Sequence, residues 1–216
     1  TIALLLAQAR NVSQADRDLK AGAWNRAKWE GVELYGKTLG VVGLGRVGAL
    51  VAQRMAAFDM QILAYDPFVS KERARQMGVS LVATLEELMA EADFMTVHLP
   101  KTAETIGLFD DAMFALAKPG LRIVNTARGE IIDETALIKM LEAGELAGAG
   151  LDVFEHEPAI SPRVLKLAKQ HKIVVLPHMG SATVEGRIEM GEKVIINIRT
   201  FMDGHRPPDR VIAALV

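Results

Sequence analysis

Short apolar runs and amphipathic stretches alternate along most of this chain. Thr38-Leu39-Gly40-Val41-Val42 is almost wholly apolar, which suits a strand buried on both faces. Arg46 to Phe58 follows with Val47, Leu50, Val51, Arg54 and Met55 at helical spacing, and Gln61 to Tyr65 returns to a strand. The pattern then predicts a short helix over 70–77 closed by Gly78 and a weak strand over 79–83. Thr84 and Glu87 form a capping-box signature for a helix that runs to Glu91. Strands are expected over 93–99, 121–125, 147–153 and 172–176, and helices over 110–117, 133–143 and 163–170. Two flanking helices, 1–20 and 182–203, complete the reading. Apolar strands that alternate with helices argue for an α/β fold, a doubly wound parallel sheet covered on both faces. The expected organisation is an arm over 1–35, one domain over 36–181, and a helix with an extended tail over 182–216.

The turn between the first strand and its helix reads Gly43-Leu44-Gly45-Arg46-Val47-Gly48. A bare GxGxxG is a weak signal, but here it stands in a strand, turn, helix, strand unit that ends at Asp66. This is the dinucleotide-binding fingerprint of a Rossmann fold. Gly43 allows the tight turn, Gly45 lets a pyrophosphate approach the backbone, and Gly48 lets helix and strand pack closely. The amides near Arg46 and Val47 would face the phosphates, aided by the helix dipole. Asp66, 18 residues past Gly48, can accept hydrogen bonds from a ribose diol. A carboxylate there repels a 2′-phosphate, which favours NAD over NADP. Asp66-Pro67 is also ordinary turn chemistry, and the two roles are compatible.

Composition narrows the class. The chain has 216 residues, half of them hydrophobic, enough for a substantial core. Its 25 basic and 27 acidic residues are dispersed, so no basic stripe points to nucleic acid. The absence of cysteine excludes disulfide and thiolate chemistry and fits a cytoplasmic protein. The apolar start Thr1 to Ala7 lacks the basic region of a signal peptide, and no run reaches the length of a membrane span. Trp24 and Trp29 lie in the polar stretch 21–35, where a partner surface is expected.

Ligands of a doubly wound sheet bind at the carboxyl ends of its strands. Arg128, Glu157 and His178 follow three successive predicted strands and so meet the glycine turn at that edge. Arg128 offers a planar fork to a carboxylate or a polarised carbonyl. His178 can give a proton to a carbonyl oxygen as hydride arrives, and Glu157 beside it favours the imidazolium. Singly, each has an ordinary structural explanation; together they fit hydride transfer to a 2-keto acid. His98 ends a strand on this edge and is expected either to pack or to line the cofactor site, while His156, His171 and His205 read as surface residues. No spacing suggests a metal site.

The chain resembles the D-isomer-specific 2-hydroxyacid dehydrogenases. The matching stretches are Gly36 through Gly48, Val97-His98-Leu99-Pro100, Asn125-Thr126-Ala127-Arg128-Gly129, Gly150 through Glu155, Glu157-Pro158, and Pro177 through Thr183. The resemblance implies that Arg128, Glu157 and His178 form the catalytic trio. It implies that Asp152 holds the nicotinamide carboxamide, that Thr105 lies near the phosphates, and that His98, Pro100 and Thr126 belong to the cofactor site. It also implies a homodimer built through residues 1–35 and the cofactor domain. The family's N-terminal substrate domain has no counterpart here, so NAD binding is expected to survive better than turnover. Hydroxypyruvate or glyoxylate stands first among expected substrates, from Gly180 to Thr183 and the Ser161-Pro162-Arg163 loop. 3-Phosphoglycerate stands second, from Tyr65 to Phe68 and the segment 93–102. A nucleotide-binding scaffold or an inactive fragment is the alternative.

Overall fold

The computed structural model describes residues 1–170 and 172–210, so His171 and the end of the tail lie outside the described residues. The apolar runs form strands β1 (Thr38–Val42), β2 (Gln61–Tyr65), β3 (Ser80–Leu81), β4 (Phe94–Val97), β5 (Arg122–Asn125), β6 (Gly148–Leu151) and β7 (Ile173–Val175). They pair in parallel in the order β3-β2-β1-β4-β5-β6-β7. The order reverses between β1 and β4, which places a crevice beyond their carboxyl ends.

Nine α-helices form among the described residues: α1 (Ile2–Arg10) and α2 (Val12–Lys20) before the first strand, α3 (Arg46–Ala56), α4 (Lys71–Gln76), α5 (Leu85–Glu91), α6 (Asp111–Phe114), α7 (Glu134–Ala143) and α8 (Pro162–Lys169) between strands, and α9 (Val184–Met202) after the last. Side chains alternate across the sheet as strand geometry demands. Leu39, Val41, Phe94 and Val124 point to one side, where α1, α3 and α4 supply Leu4, Leu5, Met55 and Ala74. Val42, Met95, Val97 and Ile123 point to the other, against Leu88, Phe114, Leu137 and Leu167 of α5 to α8. The capping box of α5 forms, with Thr84 Oγ1 accepting from Glu87 N–H and the Glu87 carboxylate accepting from Ala83 N–H.

The N-terminal segment departs from the sequence reading. One helix over 1–20 was expected in an arm outside the domain. Two helices form instead, broken at Asn11, which takes a left-handed conformation (φ 51°, ψ 34°) that asparagine tolerates better than most residues. Leu5 and Ala9 of α1 are fully buried, and buried Gln8 donates from Nε2 to the Ala149 carbonyl at 2.6 Å. Thus α1 belongs to the domain core, and the first compact unit runs from Thr1 to His178. The two tryptophans also separate. Trp24 is 82% exposed, whereas Trp29 is half-buried, donates to Asp18 at 3.2 Å and carries the Lys28 ammonium over its ring.

A second compact unit begins at Met179 and is built on α9, capped by Thr183 Oγ1 accepting from Gly186 N–H. None of the residues of α9 is buried, although the helix carries Val184, Ile188, Ile195, Phe201 and Met202.

Candidate functional site

The chain leaves β1 through Gly43, whose φ of 92° falls where only glycine is at ease. Its N–H donates to the Tyr65 carbonyl at 2.9 Å, tying the turn to β2. Gly48, inside α3, sits so close to the Gly43 carbonyl that an added Cβ would collide with backbone. Gly45 is the opposite case. It caps α3 in an extended conformation, and a Cβ there would meet nothing within 4 Å. The first-turn amides of a helix have no partner inside it, and those after Gly45 belong to residues that line an open groove. The turn therefore has the form of a cradle for an anionic group.

Asp66 has two jobs already. Its Oδ2 accepts from Leu44 N–H at 2.7 Å and its Oδ1 from Phe68 N–H at 2.9 Å. The carboxylate braces the glycine turn and the Asp66-Pro67 turn together. Each oxygen can accept a further bond, so the brace is compatible with a ribose diol.

The groove in front of the turn encloses about 570 Å³. Gly45, Arg46 and Val47 line one side; His98, Pro100 and Lys101 come from the loop after β4, and Thr126 and Arg128 from the loop after β5. His98 both packs and lines: its Nε2 lies 3.0 Å from Thr96 Oγ1, and burial pushes its pKa down to about 4. It is therefore neutral near pH 7. Thr105 is not on the groove wall. Its Oγ1 donates to the Pro100 carbonyl at 2.7 Å and accepts from Thr102 N–H at 2.8 Å, so it holds the shape of the loop that supplies Pro100. Asp152, 2% exposed, ends β6 with its N–H on the Asn125 carbonyl at 3.0 Å. Among the described residues, no group of three or more His, Cys, Asp or Glu could hold a metal ion. No described helix is long and apolar enough to cross a membrane.

A second hollow, of about 360 Å³, is lined by Phe154, Glu157, Pro158, Ile160, Pro177 and His178. His178 Nδ1 lies 2.6 Å from Glu157 Oε2, and Glu157 Oε1 accepts from Phe154 N–H at 2.8 Å. Burial alone would push the Glu157 carboxyl up. The bonds from His178 and the Phe154 amide outweigh it and hold the pKa below the usual value, so the group is ionised. His178 takes a left-handed conformation (φ 50°), uncommon for a residue with a side chain but enriched among histidines. His156 and His205 are exposed.

The three residues expected to act together lie in the loops after β5, β6 and β7. Glu157 and His178 touch, while Arg128 lines the groove with the glycine turn and donates to the Ala127 carbonyl at 2.6 Å. Three residues to which the sequence reading gave no role support these places. Buried Asn125 donates from Nδ2 to the Arg128 carbonyl and accepts at Oδ1 from Ala127 N–H, which fixes the loop that presents Arg128. Gly129 presses against the backbone of Phe154 and Glu155 with no room for a Cβ. Buried Glu134 adds a bond from Glu155 N–H. An asparagine at the end of an apolar strand and a glycine beside the arginine were the available signals.

Comparison with known proteins shows the family. The family model described as D-isomer specific 2-hydroxyacid dehydrogenase, NAD binding domain, matches residues 2–180. D-3-phosphoglycerate dehydrogenase of Mycobacterium bovis is 47% identical over 210 residues, 97% of this chain and 39% of that protein. The enzyme of that name from Archaeoglobus fulgidus is 50% identical over 203 residues, 94% of this chain and 38% of that protein. A crystal structure of a glyoxylate reductase from Paecilomyes thermophila superposes with a TM-score of 0.84 at 36% identity, covering 92% of this chain and 59% of that one. The chain therefore spans less than two fifths of the length of these curated relatives. With its glycine cradle, parallel sheet and paired histidine, it belongs to the D-isomer specific 2-hydroxyacid dehydrogenase family and carries that family's NAD binding domain.

Proposed function

We propose that this chain forms the cofactor-binding part of an oxidoreductase that interconverts a 2-keto acid and a D-2-hydroxy acid. NAD, when bound, takes or gives the hydride. Gly45 and the amides of Arg46 and Val47 would receive the pyrophosphate at the turn that Gly43 and Gly48 shape, and Asp66 would receive the ribose. His98, Pro100 and Thr126 would line the cofactor site, Asp152 would hold the nicotinamide carboxamide, and Thr105 would brace the loop that supplies Pro100. Arg128 would hold the substrate carboxylate or polarise its carbonyl.

The observation that carries this reading is the 2.6 Å contact between Glu157 Oε2 and His178 Nδ1 at the edge that also holds the glycine turn. It assigns a proton to Nδ1, which donates to the carboxylate. Nε2 is then the atom that gives a proton to the forming alcohol, or takes one in the reverse direction. Ionised Glu157 accepts the bond from Nδ1 and orients the ring. Exchanging His178 for glutamine in a full-length protein with this sequence should lower kcat roughly 10²- to 10⁴-fold and leave NADH affinity within about twofold. Undiminished turnover would overturn the assignment.

For the substrate, relatives at 47% and 50% identity bear the name D-3-phosphoglycerate dehydrogenase, against 36% for the glyoxylate reductase. That favours 3-phosphoglycerate. Glyoxylate or hydroxypyruvate, placed first by the sequence reading, is retained as the second choice on the Gly180 to Thr183 stretch. The cysteine-free chain fits the cytoplasm. A homodimer through residues 1–35 and the cofactor domain fits the exposure of Trp24 and Tyr35, 82% and 72%. Sedimentation of a monomer at micromolar concentration would dismiss that interface.

A further inference from the structure

Lys101 and Glu130 have no role in the reading above. Lys101 follows Pro100 in the loop after β4 and lines the same groove as Gly45, Arg46 and Val47. Its ammonium lies 2.6 Å from Glu130 Oε1, a residue of the turn that begins after Arg128. The two side chains are 46% and 28% exposed, and an ion pair so wet is weak and easily exchanged. The Glu130 backbone is fixed separately, because its carbonyl accepts from Gly107 N–H at 2.8 Å. The carboxylate can therefore swing away without disturbing the loop.

Among the described residues, the groove lining contains three cations, Arg46, Lys101 and Arg128, and no carboxylate. A pyrophosphate carries two negative charges. The N-terminus of α3 and Arg46 meet part of that charge, and Arg128 is assigned to the substrate. Lys101 remains, held at the rim by Glu130.

We propose that Lys101 is a binding residue for the pyrophosphate of the dinucleotide and that Glu130 is the counter-ion it leaves when the dinucleotide enters. The exchange trades one oxyanion partner for another, so no cation is left unpaired. A phosphate on the substrate is a weaker candidate, because the hollow that holds Glu157 and His178 is lined without Lys101. The proposal rests on the dinucleotide reading of this groove.

The test is calorimetric titration of ADP-ribose and of adenosine into wild type, Lys101→Met, Lys101→Arg and Glu130→Gln, at low and at high salt. Lys101→Met should weaken ADP-ribose roughly five- to tenfold and flatten its salt dependence, with adenosine unchanged. Lys101→Arg should restore most of the affinity, and Glu130→Gln should match wild type or bind more tightly. ADP-ribose affinity unaltered by Lys101→Met would overturn the proposal, and so would equal weakening by Lys101→Met and Glu130→Gln, the mark of a purely structural strap. If Lys101→Met spared ADP-ribose and weakened only a phosphorylated hydroxy acid, the lysine would serve the substrate and the proposal would be lost. A wild type that bound neither probe would remove the dinucleotide reading itself.

Discussion

The inner and outer sides of the glycine turn lie a few ångströms apart and obey different rules. On the inner side Gly48 faces the Gly43 carbonyl and the His98 ring, and there is no space for one more carbon. On the outer side Gly45 faces open groove, and the protein itself makes no demand for a glycine there. The same residue type is required by packing at one position and by a ligand at the other. Only substitution can separate the two requirements.

The inner side should show the largest effect. Gly48→Ala drives a methyl group into a backbone carbonyl that cannot yield without moving the turn. We expect a loss of about 3 kcal/mol and roughly 10 °C in Tm, read by circular dichroism. An unchanged Tm would break the contrast with Gly45. His98 tests the same side by titration. Its pKa, about 4 in the fold against 6.5 in the free side chain, means that the fold prefers neutral imidazole. That preference contributes stability in full above pH 6.5 and is lost as pH falls through about 4. Wild type should lose about 2 kcal/mol over this interval relative to His98→Gln, which has no imidazole to protonate. Parallel pH profiles of the two proteins would show that the ring is solvated.

The turn was legible in the sequence because its requirements are local. Strand, glycines, helix and Asp66 occupy one continuous stretch, and their roles follow from spacing. What stayed hidden depends on residues far apart. Leu4, Leu5 and Ala9 are part of an apolar segment whose sequence cannot say what it packs against; β5, β6 and β7 supply the surface. The left-handed Asn11 that divides the expected helix serves that packing. Trp24 and Trp29 looked alike until Asp18, eleven residues before Trp29, took one of them. In the site, Glu157 and His178 were predicted on one edge and meet there, while Arg128 lies in the neighbouring groove. Asn125 and Gly129 stood in a quoted stretch, but their roles, like that of Glu134, depend on backbone partners that spacing does not name: Arg128 and Ala127 for Asn125, Phe154 and Glu155 for Gly129, and Glu155 for Glu134.

The outer side should give the smallest effect and the sharpest one. At Gly45 the backbone is extended (φ −66°, ψ −166°), a conformation open to any residue, and the space for a methyl group is empty. Gly45→Ala should therefore fold with a Tm within about 1 °C of wild type. The methyl group would stand where a pyrophosphate approaches the helix amides, and its oxygens would be held off by more than a hydrogen bond tolerates. NADH affinity should fall roughly tenfold, about 1.4 kcal/mol, in a fluorescence titration. A variant that kept both its Tm and its affinity would mean that the phosphates bind elsewhere. A variant that lost stability as Gly48→Ala does would mean that Gly45, too, belongs to the packing. Loss of affinity alone assigns the outer side of the turn to the ligand, because no described residue lies within 4 Å of that space.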